Sequence, residues 1–295
     1  MPSVADIQPY VQLTRPQNVS GSVITYCIGY FFAIHTLSPD FFVGLIILLA
    51  LHSLATLQND IEDFEIDKAN KRQSVLQDHH LSISGAKFFV QALVLMAVVF
   101  ALLSSHRRIH LTVILGLLLV AWLYNLNPIR ASKKPIASIL IMGLCYGALP
   151  FIYGYLVASG KPLSATFLLL AILFFLARIS TAIMKDYKDV KGDKLFNKKT
   201  FYLRYGANLT AWTSFITAVI AYIGIIGMLL LRSRTVALFV TLLLVIILAL
   251  RSTMLRLALT KTKNEKKLNV IFHKSVFGHN QFEAAVLLCL ILSSK

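Results

Sequence analysis

Residues 41–67 read FFVGLIILLALHSLATLQNDIEDFEID, an apolar run that ends abruptly in a cluster of carboxylates. The apolar part, residues 41–57, is long enough to cross a bilayer as a helix. A second apolar run, residues 163–184, ends in the same way in the cluster DYKDVKGD at residues 186–193. The chain therefore keeps much of its negative charge in two places, each directly after a predicted membrane span.

The aspartates of both clusters share one spacing, D-x-x-D-x-x-x-D. On a helix, positions i, i+3 and i+7 lie on one face, so the pattern predicts two matching rows of carboxylates. Like charges about 6 Å apart repel by roughly 3 kcal/mol per pair at an effective dielectric near 20. Such rows favour a bound cation, and a divalent hard metal is the natural candidate. The aspartates concerned are Asp60, Asp63 and Asp67 in the first row and Asp186, Asp189 and Asp193 in the second.

The composition indicates a polytopic membrane protein. Hydrophobic residues make up 57% of the 295 residues, charged residues make up 14%, and the mean hydropathy is +0.72. These values lie far outside those of soluble globular domains. We expect an all-α fold in which residues 1–295 form a single integral-membrane domain with nine transmembrane helices. The predicted spans cover residues 19–37, 41–57, 86–104, 110–125, 136–157, 163–184, 207–231, 234–250 and 276–293.

The distribution of basic residues predicts the orientation of these spans. If the amino terminus is cytoplasmic, 22 of the 29 Lys and Arg residues fall on the cytoplasmic side. Both acidic clusters are then cytoplasmic as well. Most of the net charge of +16 reflects the orientation of the spans in the membrane. The same positive charge suits anionic lipid head groups or a phosphorylated substrate. We expect the partners to include the lipid bilayer and no nucleic acid.

The residues around the two acidic clusters suit a diphosphate. Mg²⁺ in proteins is held by one or two carboxylates together with substrate phosphate oxygens and water. The polar segments 58–85 and 185–206 are expected to form partly helical caps over a cavity. The aromatic-rich interior below could hold a hydrocarbon chain and stabilise a cation, so an allylic diphosphate ester fits both parts. Cations that could offset the remaining phosphate charge are Lys71, Arg72, Lys185, Lys188, Lys191, Lys194, Lys198 and Lys199.

Taken together, these features resemble the UbiA superfamily of intramembrane prenyltransferases. Residues 59–67 are similar to the family's first motif, N-D-x-x-D-x-x-x-D, and residues 185–193 are similar to its second motif. Nine spans, with motifs that end the second and the sixth, are the family's arrangement too. Further segments that resemble the family are Arg15 and Pro16, the tyrosine, proline and basic loop at 124–134, residues 198–200, and Tyr205 with Gly206.

The resemblance implies a UbiA-like bundle around a central cavity and an enzyme that transfers a polyprenyl group from its allylic diphosphate. It implies two Mg²⁺ ions that neutralise the leaving group, so that the allylic C–O bond ionises without a protein nucleophile. The implied metal ligands are Asn59, Asp60, Asp63, Asp67, Asp186, Asp189 and Asp193, with Asp63 and Asp186 as the catalytic members. The implied diphosphate-binding residues are Lys71, Arg72, Lys134, Lys185, Lys194 and Lys198.

Four other residues have two interpretations each. Arg178 lies eight residues before Asp186, so it either faces the substrate or satisfies a local carbonyl within the span. Glu283, in the last span, makes either a structural hydrogen bond or an acceptor contact. Tyr124 and Lys134 either touch the substrate or serve as an interfacial anchor and a topology charge.

The acceptor is the least defined part of the expected reaction. A quinone-precursor ring, a chlorin and a glycerol phosphate are all compatible with the family. The segments around residues 15–18 and before Leu149 resemble the branch that makes chlorophylls and archaeal-type ether lipids more than the 4-hydroxybenzoate branch.

Other functions stay open at this point. A terpene cyclase or a prenyl diphosphate hydrolase would use the same scaffold without a second substrate. A transporter or a noncatalytic scaffold is less favoured, because the acidic clusters lie at one membrane face whereas transport sites usually lie near the midplane.

Overall fold

The computed structural model describes residues 4–71, 75–78, 81–160, 162–232, 236–262 and 264–292. These ranges contain α-helices and no β-strand. A π-helical turn, Leu144–Ala148, joins α7 to α8. The helices are α1 Val4–Leu13, α2 Pro16–Ala33, α3 Pro39–Glu62, α4 Phe64–Ala69, α5 Ile83–Leu103, α6 Arg107–Asn125, α7 Pro135–Gly143, α8 Leu149–Ser159, α9 Ala165–Ala182, α10 Val190–Leu195, α11 Phe201–Arg232, α12 Val236–Thr260 and α13 Glu265–Leu292.

Within the described ranges, eight helices are long and apolar enough to cross a membrane. The segments α7 and α8 with the turn between them form one of these, Pro135–Ser159. The segment expected as the first span contains a shorter apolar stretch, Val19–Ala33 within α2. The helical membrane bundle expected from hydropathy is thus confirmed, and the acidic clusters follow its second and sixth spans.

The spans pack side by side and form a ring. α3 packs on α5 and α6, α9 packs on α7 and α11, and α11 packs on α12, which packs on α13. The ring closes where α13 contacts α2. Two large apolar clusters fill the bundle, and both contain side chains from α2 and α8. These two helices therefore connect the halves of the structure.

Two glycines allow α2 and α8 to approach each other backbone to backbone. A Cβ atom at Gly29 would lie 1.9 Å from the carbonyl oxygen of Phe151, and one at Gly154 would lie 2.1 Å from that of Tyr26. Small residues at such crossings let membrane helices reach close packing, since lipid provides no hydrophobic driving force between them. The α2–α8 contact therefore requires glycine at both positions.

The acidic clusters do not lie on continuous helices, so the prediction of carboxylate rows on single helical faces is wrong. α3 ends at Glu62, and Asp63 has φ −97° and ψ 13° before α4 begins. In the second cluster Asp189 has nearly the same conformation, φ −107° and ψ 16°, before α10 begins. A break at the central aspartate turns the chain away from the span and relieves the repulsion that one row of stacked carboxylates would create.

The short helices α4 and α10 pack together as the caps expected over the cavity. The backbone N–H of Gly192 donates to Oδ1 of Asn70 at 2.5 Å. A Cβ atom at Gly192 would lie 2.6 Å from the carbonyl oxygen of Ile66, so glycine permits this contact. Asp67 in α4 and Asp193 in α10 are thereby brought to the same cavity.

We expect Gly154→Val to destabilise the protein strongly. The added side chain overlaps the backbone of α2, and overpacking of this kind costs about 3 kcal/mol. Thermal unfolding of the purified protein in detergent, read as the monodisperse fraction recovered after heating, measures the loss.

Gly116→Ala is the matched control for this variant. No atom of the described residues lies within 4 Å of a Cβ atom at Gly116 in α6, so we expect a neutral or slightly stabilising effect from helix propensity. Equal stability of the two variants would contradict the close α2–α8 contact.

Candidate active site

The two acidic clusters meet around one cavity of about 340 Å³. It lies beneath the caps and extends into the bundle between α3, α6, α7, α9 and α13. The sequence-predicted residues that line it are Asn59, Asp63, Asp67, Tyr124, Arg178, Lys185, Asp186, Asp189, Asp193 and Lys198. The fold thus gathers residues from distant parts of the chain around a single space.

Asp63 is the most heavily paired carboxylate of the site. Its Oδ1 accepts from Nη2 of Arg130 at 2.9 Å, and its Oδ2 accepts from Nζ of Lys198 at 2.8 Å. Arg130 also donates to the carbonyl oxygen of Glu62 at 2.7 Å, which fixes it at the end of α3. Burial by itself would raise the pKa of Asp63, but Lys198 and Arg130 outweigh it and hold the pKa below its usual range. Asp63 is therefore a carboxylate anion that Arg130 and Lys198 hold in place.

Lys198 joins the two acidic clusters. Besides its contact with Asp63, its Nζ lies 3.7 Å from Oδ1 of Asp193. Its backbone N–H donates to the carbonyl oxygen of Asp193 at 2.8 Å. Burial lowers the pKa of Lys198, but the two carboxylates reverse the effect and raise it, so the side chain stays a cation.

Asp193 is the carboxylate that most needs a further partner. Its side chain is 1% exposed, and neither carboxylate oxygen accepts a hydrogen bond from the residues the structure describes. Burial raises the pKa of Asp193 to about 7. Among those same residues, no three His, Cys, Asp or Glu side chains converge into a complete metal site. The donors fit a cation that takes its other ligands from water and a bound anion.

Lys185 and Tyr124 form a pair on the cavity wall. Nζ of Lys185 donates to the phenol oxygen of Tyr124 at 2.6 Å and lies 3.9 Å from Oδ1 of Asp186. The same ammonium group lies 5.4 Å from the centre of the Tyr124 ring. Tyr124 therefore orients a cavity cation rather than serving only as an interfacial anchor.

Several predicted site residues lie away from the cavity. Asp60 pairs with Nη2 of Arg15 at 2.5 Å and does not line it. Lys71, Lys134 and Lys194 are exposed and lie outside the set of lining residues. Arg72 lies outside the residues the structure describes.

Arg178 and Glu283 form an ion pair inside the bundle. Nη2 of Arg178 donates to Oε2 of Glu283, and Nη1 donates to Oδ1 of Asn280 at 3.2 Å. Both charged side chains are buried, and Nε2 of His279 lies 3.2 Å from the other oxygen of Glu283. Of the two partners only Arg178 lines the cavity, so Glu283 supports it from behind.

Four residues of the site were missed by sequence reasoning. Arg15 and Arg130 pair with the first cluster from left-handed backbone conformations, φ 46° and 36°, which are costly for non-glycine residues and cluster at functional sites. His52 and Asn280 line the cavity below the aspartates. His52 could have been found, because it lies seven residues, or two helical turns, before Asn59. Arg15 and Arg130 lie in segments that resemble the family but were not assigned to the site, and no local signal marks Asn280.

Comparison with known proteins independently supports the resemblance to the UbiA superfamily. The family model described as the UbiA prenyltransferase family matches residues 22–276. The digeranylgeranylglyceryl phosphate synthase of Methanoculleus marisnigri is 26% identical over 212 residues, which cover 72% of this chain and 74% of that protein. The bacteriochlorophyll synthase 34 kDa chain of Chloroflexus aurantiacus is 25% identical over 179 residues, which cover 61% of this chain and 56% of that protein.

A solved structure has the same fold. The UbiA homologue from Archaeoglobus fulgidus, bound to DMAPP and Mg²⁺, superposes with a TM-score of 0.71 at 18% identity and covers 96% of this chain and 99% of that one. The family match spans most of the sequence and includes both acidic clusters. The chain therefore belongs to the UbiA prenyltransferase family.

Proposed function

We propose that this membrane prenyltransferase moves a polyprenyl group from its allylic diphosphate to a small acceptor of the quinone-precursor, chlorin or glycerol-phosphate type. One observation carries the proposal: carboxylates and lysines meet in a cavity whose inner walls include Leu51, Leu117 and Val120. The charged part suits a diphosphate with its counter-ions, and the apolar part suits a prenyl chain. The matched relatives, which are named digeranylgeranylglyceryl phosphate synthase and bacteriochlorophyll synthase 34 kDa chain, support this acceptor range.

We assign the binding of divalent metal, as two Mg²⁺ ions, to the acidic side chains around the cavity. The buried oxygens of Asp193 and the Mg²⁺ in the Archaeoglobus fulgidus homologue support this assignment. Bound Mg²⁺ would neutralise the diphosphate and make it a better leaving group. Asp60 takes no part in this proposal because it pairs with Arg15 and is not among the residues that line the cavity. The proposed ligands are Asn59, Asp63, Asp67, Asp186, Asp189 and Asp193.

The cations of the cavity would hold the diphosphate as it departs with the electron pair of the C–O bond. Lys198 already bridges Asp63 and Asp193, and Lys185 is aimed by Tyr124. Each can donate hydrogen bonds to phosphate oxygens that gain charge as the bond breaks. The exposed Lys71, Lys134 and Lys194 would act before binding, by attracting the anionic substrate to the entrance of the cavity.

The interior must protect the allylic cation from water until the acceptor attacks. Leu51, Leu117 and Val120 supply an apolar wall, and Tyr146 presents an aromatic ring. Aromatic faces stabilise cations by about 0.5–2 kcal/mol per contact. This enclosure favours transfer over hydrolysis.

We also propose that the end of the bundle with the acidic clusters faces the cytoplasm. The support is the charge distribution, in which 22 of the 29 Lys and Arg residues fall on that side. A polyprenyl diphosphate would then enter with its head group from the cytoplasmic leaflet.

We expect purified protein to release diphosphate from labelled C10 to C20 allylic diphosphates when Mg²⁺ is present. The release should stop when EDTA is added. Asp63→Ala and Asp186→Ala should each reduce release by at least about 100-fold, because each removes a charge that offsets the metal. Asp40→Ala is the control, since Asp40 lies at the opposite end of α3 and accepts from Ser104 and Ser105.

Product analysis completes this experiment. Labelled product that forms only with an acceptor identifies a transferase, whereas cyclic or hydrolysed product without acceptor identifies the cyclase or hydrolase alternative. Absence of release with every donor, from protein that is folded and monodisperse, would refute the proposed function.

Lys198→Met should lower the rate of diphosphate release by about 100-fold, because it removes one donor to the leaving group and leaves Asp63 with Arg130 alone and Asp193 without this cation. Lys199→Met is the matched neighbour, since Lys199 is exposed and does not line the cavity. Steady-state kinetics compare the two variants. Equal rates in both would show that Lys198 has no part in the reaction.

The affinity for Mg²⁺ should rise with pH. The pKa of Asp193 is raised to about 7, so the carboxyl is mainly protonated below pH 7 and becomes an anionic ligand above it. A metal must displace this proton, which makes binding about tenfold weaker at pH 6 than at pH 8. Calorimetric titration with Mg²⁺ at both pH values measures the change. Asp193→Asn should remove most of it, and an unchanged pH dependence in that variant would assign the proton to another group.

A further inference from the structure

A second polar level lies deeper in the cavity than the aspartates. His52, on α3, is two helical turns before Asn59, which places it about 10 Å further into the bundle. Arg178 on α9 and Asn280 on α13 line the same part of the cavity. No role in metal or diphosphate binding accounts for these groups.

The position of Arg178 is tightly constrained. Its two terminal nitrogens are held by Asn280, by Glu283 and by the hydroxyl of Thr25, which lies 3.4 Å from Nη2. A Cβ atom at Gly21 would lie 2.4 Å from Nη2, and one at Gly147 would lie 2.9 Å from Cγ. Glycines on two neighbouring spans thus make room for the guanidinium and its stem, so the arginine is built into the bundle.

Two buried nitrogen atoms at this level have no hydrogen-bond partner among the described residues. They are Nε of Arg178 and Nε2 of His52, in side chains that are 6% and 3% exposed. A buried polar atom without a partner costs about 1–3 kcal/mol, so such atoms point to a ligand or to water. One of the two can only donate, whereas the imidazole nitrogen can accept.

The charge of this level selects among acceptor classes. Glu283 already neutralises Arg178, so a carboxylate acceptor would bring an uncompensated negative charge into the bundle. A ring carbon that attacks the cation would use neither nitrogen, because carbon accepts no hydrogen bond from Arg178 and donates none to His52. A hydroxyl group matches both, because its oxygen accepts from Arg178 and its hydrogen is donated to His52.

We propose that His52 and Arg178 form the acceptor site of this enzyme, that the acceptor is an alcohol, and that His52 takes its proton. The inference rests on the proposed prenyl transfer. As the allylic C–O bond breaks, its electron pair leaves with the diphosphate. The hydroxyl oxygen then forms the new C–O bond, and its proton passes to Nε2 of His52. The products are an allylic ether, diphosphate and a protonated imidazole that later returns the proton to solvent.

Three acceptors of matched chain length test the alcohol class. With labelled geranylgeranyl diphosphate, we expect an ether from dodecylglycerol and little product from dodecanoic acid or dodecylresorcinol. Formation of the ester or of a carbon-alkylated ring as the main product would overturn the assignment. Absence of diphosphate release from wild-type protein would instead refute the proposed function itself.

His52→Gln tests the proton transfer. Glutamine keeps a hydrogen-bonding side chain of similar size but cannot take the proton, so kcat for ether formation should fall about 100-fold. The Mg²⁺-dependent affinity for geranylgeranyl diphosphate should stay within twofold, because His52 lies away from the groups that would hold the metal and the diphosphate. A structural defect would lower the rate and the donor affinity together, and that result, or an unchanged kcat, would overturn the role of His52.

His110→Gln is the matched control. His110 is a fully buried histidine of α6 that bonds Tyr153 at 2.6 Å and does not line the cavity, so kcat and the donor affinity should both be unchanged. Arg178→Lys gives a second measurement, since lysine keeps the charge beside Glu283 but lacks the Nε–H donor. We expect at least a tenfold rise in KM for dodecylglycerol with the affinity for geranylgeranyl diphosphate unchanged. An unchanged KM would remove Arg178 from the acceptor site.

Discussion

The ammonium group of Lys198 balances carboxylates from both halves of the chain, and the functional end of the bundle depends on this balance. It contacts Asp63 at 2.8 Å and lies 3.7 Å from Asp193, so one cation links residues 130 positions apart. Removing one partner of a buried pair costs about 3–5 kcal/mol, because the remaining charge stays in a poorly solvating place. Lys198 is aimed by the short turn that ends α10, where Asn197 adopts a left-handed conformation, φ 53°. Asparagine tolerates this conformation better than most residues.

The second constraint is the shared break at the central aspartates. Asp63 and Asp189 have almost the same backbone dihedrals, although they follow different spans. Each break starts a six-residue helix, and the two helices pack on each other through the Asn70–Gly192 contact. The equal spacing of the two motifs therefore encodes two equivalent turns rather than two charged helical faces. Such turns bring oxygens from two spans to one cavity, which neither span could supply alone.

Hydropathy and motif spacing predicted the fold and most of the cavity, because both are local properties. Nine apolar stretches identified the spans, and the aspartate pattern identified most of the residues that meet beneath the caps. What the sequence left undecided lies where distant parts of the chain decide the outcome. Asp60 fits the motif as well as Asp63 does, yet it pairs with Arg15 and does not line the cavity. Arg178 and Glu283 were each ambiguous alone, and their pairing across 105 residues follows only from the packing of α9 on α13.

The separation of two polar levels follows from the chemistry that the cavity must support. A base beside the aspartates would compete with them for the metal. The diphosphate oxygens would in turn compete with that base for the proton of the acceptor. A histidine two turns deeper would avoid both conflicts, because the reacting prenyl carbon of a bound substrate would lie between it and the leaving group. The Arg178–Glu283 ion pair lowers the cost of placing a charged donor this deep, since it supplies a fixed donor without adding net charge to the bundle. Ionisation and proton removal can then proceed at opposite sides of the same carbon, which is the geometry that transfer to a hydroxyl group requires.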